Sequence, residues 1–281
     1  MLYRNFVTAE EIQAEYDPAL VSDRDAAIER FVQLSTTATE AMPHWYSHQF
    51  GVTEAEYVDI FPSGVPGSPV HIFIHGGYWR AMSARQFAFV AQNLVEQGVT
   101  VVLTNYGLCP YVRMGDIVDQ TREAIAWVAR NASELEVDGN RLSISGHSAG
   151  GHLVAMMLAT DWTEYDLPKD LIKGAIALSG LFDLGPFPHS WLQPALNLTA
   201  AEVSENSPLF LPVHTSAKVL IRYGSKEQSE FARQSHTYAE YLASQGIDVD
   251  CTPQEGADHF TILEPFLLDE AEFVQDILSF V

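Results

Sequence analysis

From residue 56 onward, segments with the two-residue period of a strand alternate with segments of helical period, and this alternation most constrains the fold. Glu56–Phe61 alternates like a strand, and a Pro/Gly/Ser turn leads to the apolar run Val70–Ile74. Helix 83–97, strand Thr100–Thr104, helix 115–131 and strand Arg141–Ser145 follow. After them come helix 149–160, strands Ala175–Ser179 and Val219–Tyr223, helix 229–245, strand Asp248–Thr252 and helix 266–280. Such an order predicts an α/β chain: a mostly parallel central sheet flanked by helices on both faces, with an antiparallel start.

Two segments break the rhythm. Residues 1–50 read as an amphipathic, interrupted helical segment, with Thr8–Glu11 placed to cap one helix and Asp23–Leu34 carrying helix-period apolar residues. It ends in the aromatic stretch Met42–His48. The Pro-rich stretch 185–216 reads as a small lid-like insertion over the active site. With 281 residues, of which 47% are hydrophobic and 19% charged, the expectation is one domain spanning 1–281.

The strand Leu142–Ser145 runs directly into Gly146-His147-Ser148-Ala149-Gly150, and a small-residue helix runs out of it. A G-x-S-x-G turn in that setting holds its serine on a strained elbow at a helix N-terminus, where developing negative charge is favoured. Ser148 is therefore the candidate nucleophile. A tetrahedral oxyanion needs preorganised N–H donors. One is expected from Ala149, the residue after the nucleophile, and another from His75-Gly76-Gly77-Tyr78-Trp79, which follows an early strand. Gly77 and Tyr78 are the candidates there, and His75 reads as a brace for the loop. Trp79, Tyr78 and His147 are the candidate substrate contacts.

The general base must be a histidine. On such a fold the triad follows the chain order serine, acid, histidine, and His259 lies between the last strand and the last helix. The acid should follow the strand Val219–Tyr223, where Glu227 is the leading candidate and Glu230 an alternative. Asp183, after the preceding strand, is a further alternative. Asp258 adjoins His259 and should point away from it. No zinc-type H-E-x-x-H helix occurs, and His71 and His75, four apart on a strand, do not form a metal pair. Neither a metal nor an organic cofactor is expected.

These motifs together resemble the kynurenine formamidase (arylformamidase) branch of the α/β hydrolases, which adjoins the hormone-sensitive-lipase-like esterases. The tyrosine and tryptophan after His75-Gly76-Gly77 are the more specific part. Asn105-Tyr106-Gly107-Leu108-Cys109-Pro110 is similar to the N-Y-R-L-x-P segment of these enzymes, with Gly107 in place of the arginine, and Glu15-Tyr16-Asp17-Pro18 resembles their Q-Y-x-P segment. The resemblance covers roughly residues 10–281. It implies hydrolysis of an aryl formamide or a small carboxylic ester by a Ser-His-Glu triad and an acyl-enzyme. The competing readings are a general carboxylesterase or thioesterase and a non-catalytic ligand-binding protein of the same fold.

A net charge of −22, from 37 acidic and 15 basic residues, argues against nucleic-acid partners and anionic membranes. Two cysteines give no disulfide framework, and no signal-peptide or membrane-spanning run is visible. A cytoplasmic protein acting on a small ester or amide is the expectation. A homodimer is compatible with the sequence and encoded by no pattern in it.

Overall fold

The computed structural model describes residues 1–267 and 272–281. Eight strands form one sheet: β1 (Tyr46–Gln49), β2 (Tyr57–Phe61), β3 (Ser68–Ile74), β4 (Thr100–Thr104), β5 (Val137–His147), β6 (Ile172–Leu178), β7 (Lys218–Gly224) and β8 (Val249–Gln254). Their spatial order is β1-β2-β4-β3-β5-β6-β7-β8. β3 to β8 run parallel, while β2 is antiparallel to both β1 and β4. The expected antiparallel start and parallel body are both present.

Because successive side chains on a strand face opposite ways, each central strand feeds two cores. Ile72 and Ile74 of β3 join one core and Phe73 the other; Val219 and Ile221 of β7 face away from Leu220. The first core is covered by helices Met114–Arg130, Ala149–Leu158 and Ser229–Ser244, together with Ile12 and Tyr16 from the N-terminal segment. Helix Arg24–Ala41 and helix Glu272–Phe280 cover the second, with the 3-10 turns Ala84–Val90 and Thr261–Leu267 between them.

The N-terminal helices form where the caps allow. Thr8 and Glu11 make a reciprocal capping box on Ala9–Tyr16, and the Asp23 side chain accepts from Ala26 N–H to start Arg24–Ala41. Residues 1–50 are not wholly helical, however. β1 overlaps the end of the aromatic stretch, as an edge strand whose four residues are all exposed. A strand with no buried face has no period-two signal to read.

Other expected bounds shift. The helix expected at 83–97 is a 3-10 turn followed by the short helix Gln92–Glu96. Residues 266 and 267, expected to open the last helix, belong instead to a 3-10 turn containing Pro265; residues 268–271 of that expected helix lie outside the described residues, and Glu272–Phe280 is helical. The 185–216 stretch holds four short helical turns. Among the described residues no helix is long and apolar enough to cross a membrane.

Candidate active site

β5 ends at His147, and Ser148 turns the chain into helix Ala149–Leu158 at φ 57°, ψ −117°. That is a strained conformation for a serine. The flanking glycines make the turn possible. A Cβ at Gly146 would collide with the Gly150 carbonyl, and one at Gly150 with the Ile74 carbonyl of β3. Ser148 N–H donates to Leu178 O at 2.8 Å, tying the elbow to the end of β6. The serine sits at the N-terminus of a ten-residue helix, on the positive side of its dipole.

The loops after β7 and β8 meet beside it. His259 Nε2 lies 3.0 Å from Ser148 Oγ. Its Nδ1–H donates to Glu227 Oε1, and the other carboxylate oxygen accepts from Ser179 Oγ at 2.8 Å and from Gly224 N–H at 2.6 Å. A carboxylate on Nδ1 fixes the imidazole tautomer and turns the Nε2 lone pair toward the serine hydroxyl. Both side chains are nearly inaccessible to water.

The two alternative acids lie elsewhere. Glu230 pairs with Arg233 at 2.7 Å and accepts from Tyr16 OH at 2.5 Å. Asp183 accepts from Tyr3 OH at 2.7 Å. Both therefore fasten the N-terminal segment to the body. Asp258 turns away from the histidine, as expected: it accepts from Phe260 N–H, Thr261 N–H and the Ser22 hydroxyl.

The His75–Trp79 loop closes over the elbow. A Cβ on Gly76 would stand 3.2 Å from Ser148 Cβ, so the loop backbone lies directly against this serine. Gly77 has φ +118°, and Tyr78 and Trp79 are left-handed at φ 51° and 56°. The turn is closed by Arg80 N–H and Ala81 N–H donating to Gly77 O. His75 is buried and stacks on Tyr106 with centroids 4.1 Å apart, and its Nδ1–H donates to Gly76 O at 2.7 Å. It braces the loop.

Of the three expected substrate contacts, Tyr78 and His147 line the cavity. Trp79 does not. It is fully buried, and its Nε1–H donates to His152 Nδ1 at 3.1 Å, because two consecutive left-handed residues reverse the loop and drive the indole into the core. His147 is itself almost wholly buried, and its Nε2–H donates to the His259 carbonyl at 2.7 Å. Burial, then the neighbouring His259 ring, hold the His147 pKa well below 6.5, so it is a neutral clamp on the His259 loop.

The cavity above Ser148 measures about 270 Å³. Its apolar walls include Phe31, Phe87, Phe260, Tyr78 and Trp191, and Asp17, Arg24, Asp25 and Arg80 add charge. Trp191 comes from the 185–216 stretch. Asp17, Arg24, Asp25, Ile28 and Phe31 come from the N-terminal segment, read from the sequence as a helical cap without any of these side chains being singled out. Asp17 lies in the Glu15–Pro18 segment that carries part of the resemblance, and for Arg24 to Phe31 the signal was the helical amphipathicity of 23–34, which marks a buried face but not its partner. Among the described residues no cluster of three or more metal-ligating side chains occurs.

Fold and site together define an α/β hydrolase whose candidate nucleophile, Ser148, sits on a strand-to-helix elbow. The comparisons agree. Residues 59–242 match the family model described as BD-FAE. The chain is 32% identical to kynurenine formamidase of Danio rerio, over 97% of this chain and 96% of that protein, and 32% identical to the Salmo salar enzyme over 82% and 79%. A crystal structure of an inferred thioesterase from Silicibacter sp. TM1040 superposes with TM-score 0.84 at 26% identity, covering 95% of this chain and 99% of that one. The chain belongs to the kynurenine formamidase family of α/β hydrolases and is a hydrolase acting on esters or amides.

Proposed function

We propose that this enzyme transfers small acyl groups from aryl amides or esters to water, through a Ser148-His259-Glu227 triad and an acyl-enzyme. The observation that carries the reading is the relay from Ser148 Oγ through His259 to Glu227 at the floor of an aromatic-walled cavity. Ser148 Oγ attacks the carbonyl carbon while His259 Nε2 takes its proton; general-base help of this kind contributes roughly 10²–10⁴-fold. The oxyanion forms against the N–H groups of Gly77, Tyr78 and Ala149 at the helix N-terminus. The bond to nitrogen or oxygen then breaks, and the leaving group takes the proton from His259. Water repeats the sequence on the acyl-serine: His259 takes a water proton, the acid departs, and Ser148 regains its hydrogen.

A formyl or acetyl group on an aryl leaving group fits the reading best. The aromatic walls of the cavity suit a ring. The likeness to the Danio rerio kynurenine formamidase supports an aryl formamide. Likeness to the Silicibacter protein supports a second reading, a small-acyl thioester. Both cysteines, Cys109 and Cys251, are free, which supports a reducing, cytoplasmic setting.

The test measures kcat/KM for N-formylkynurenine, phenyl acetate and an acetyl thioester with wild type and Ser148→Ala. Turnover of at least one by the wild type, lost at least 10⁴-fold in the variant, is expected. Equal rates in the two proteins would overturn the triad, and failure on N-formylkynurenine alone would remove the formamide.

A further inference from the structure

A groove of about 240 Å³ runs beside the active-site cavity, on the other side of the N-terminal half of helix Arg24–Ala41. The helix builds both spaces. Arg24, Ile28 and Phe31 line the active-site cavity, while Ala27, Phe31 and Leu34 line the groove, at the three- and four-residue spacing of one helix face. Leu263, Leu267 and Phe260 form the facing wall.

Two side chains belong to both spaces: Phe31 and Phe260. Their rings meet edge to face with centroids 6.5 Å apart. Phe31 is wedged against Phe87 and Phe89, at 5.5 and 5.2 Å, and is almost fully buried. Phe260 is half-buried and is the freer of the two. It directly follows His259, whose ring it meets at 86°.

We propose that this groove is a second substrate subsite, taking the apolar distal part of the leaving group past the Phe260 ring. The proposal rests on the reading of Ser148 and His259 as the catalytic pair. His259 delivers the proton to the leaving group, so that group departs on the His259 side, and Phe260 is the first residue beyond it. The groove therefore continues the leaving-group side of the site. Size points the same way. Neither space alone reaches the ~300 Å³ at which ligand pockets usually begin, and joined they exceed it. The Arg30–Glu264 pair, at 3.1 Å, links the two walls of the groove with both partners about half exposed. Such a pair is weak enough to part for an entering chain.

The test holds the acyl group constant and lengthens the leaving group, comparing kcat/KM for phenyl acetate with that for 4-hexylphenyl acetate. Each methylene moved from water into an apolar groove is worth roughly fourfold. Partial burial of the hexyl chain should give wild type a preference of at least tenfold. Ala27→Trp fills the groove and should bring the ratio of the two substrates close to one. Phe260→Ala opens the partition and should raise it at least threefold. A variant that folds poorly lowers both rates together and leaves the ratio in place, so the two opposite shifts still read the groove. A wild-type ratio near one, or a ratio that neither substitution moves, would overturn the subsite. Phenyl acetate turnover surviving Ser148→Ala would overturn the catalytic reading instead.

Discussion

Glu227 offers one carboxylate oxygen to His259 Nδ1 while its other oxygen is fixed by Ser179 Oγ and Gly224 N–H. The acid is thus oriented from the ends of two neighbouring strands before it orients the histidine. In Glu227→Gln the amide must place an N–H or a weak acceptor against Nδ1, and the favoured imidazole tautomer is lost. A fall in kcat of roughly 10³–10⁴ is expected, with little change in KM. Glu230→Gln should leave kcat within a few fold and lower stability by about 1–3 kcal/mol, since it weakens the buried tie to Arg233 and Tyr16. Paired kinetics and urea unfolding on the two variants check both statements; the opposite pattern would reassign the acid.

The loop His75–Trp79, proposed to hold the oxyanion, should tolerate no side chain at Gly77. Its φ of +118° is closed to L-residues, and a Cβ there would strike the Ala81 carbonyl. The backbone must then move, and with it the donors presented to the reacting oxygen. Gly77→Ala should lower kcat on phenyl acetate by roughly 10²–10³, the loss typical of one misplaced donor. Retention of kcat within threefold, in a variant with wild-type circular dichroism, would show that the loop does not hold the oxyanion.

The strand order from β2 onward, the elbow, and the positions of His259 and Glu227 were legible in the sequence because each rests on a short-range pattern: an apolar period, a glycine pair, a residue just past a strand end. What escaped depends on contacts across the chain. Tyr3 meets Asp183 and Ser22 meets Asp258, residues separated by 180 and 236 positions. No local pattern marks such a pair, so the N-terminal segment was legible as a helical cap, but not which of its side chains face the cavity. Ser179 escaped for a related reason. Its hydroxyl reaches Glu227 only because it adopts a left-handed turn at the end of β6, and nothing in Leu178-Ser179-Gly180 announces a partner 48 residues on. Trp79 shows the reverse limit: its place in the motif was right, but the reversed backbone sent its ring inward.

The N-terminal segment is coupled to the oxyanion loop through one side chain. Tyr78 OH donates to the Tyr16 backbone carbonyl, and the Tyr16 hydroxyl in turn donates to Glu230 and accepts from Gln234 Nε2 at 2.9 Å. Tyr78→Phe keeps the ring that lines the cavity and removes only the tie. It should cost about 1 kcal/mol of stability. Looser seating of the segment that carries Asp17 and Phe31 should raise KM severalfold with kcat nearly unchanged. A drop in kcat with constant KM would mean that the hydroxyl acts on the reaction itself rather than on the wall.

Acid should destabilise the fold well before most of its carboxylates titrate, through histidines sealed in the core. Burial pushes His71 from 6.5 to about 3, and His75 and His152 to about 4. Each is neutral in the folded protein. Below pH 6.5 the unfolded chain takes up a proton on each ring and the folded chain does not, so stability is fully present above that pH and is lost as pH falls toward 4. In that window each histidine contributes about 1.4 kcal/mol per pH unit, and model carboxylates titrate mainly below about pH 5. Urea unfolding at pH 7, 6 and 5 should therefore show a steep decline between 6 and 5. His152 offers the sharpest check. Its Nε2–H donates to Asn206 O at 2.7 Å and its Nδ1 accepts from Trp79, two roles that a glutamine amide can fill without titrating. In His152→Gln the decline should flatten by about one histidine's share, whatever the stability at pH 7. An unchanged slope would mean that this ring exchanges no proton on unfolding in that range.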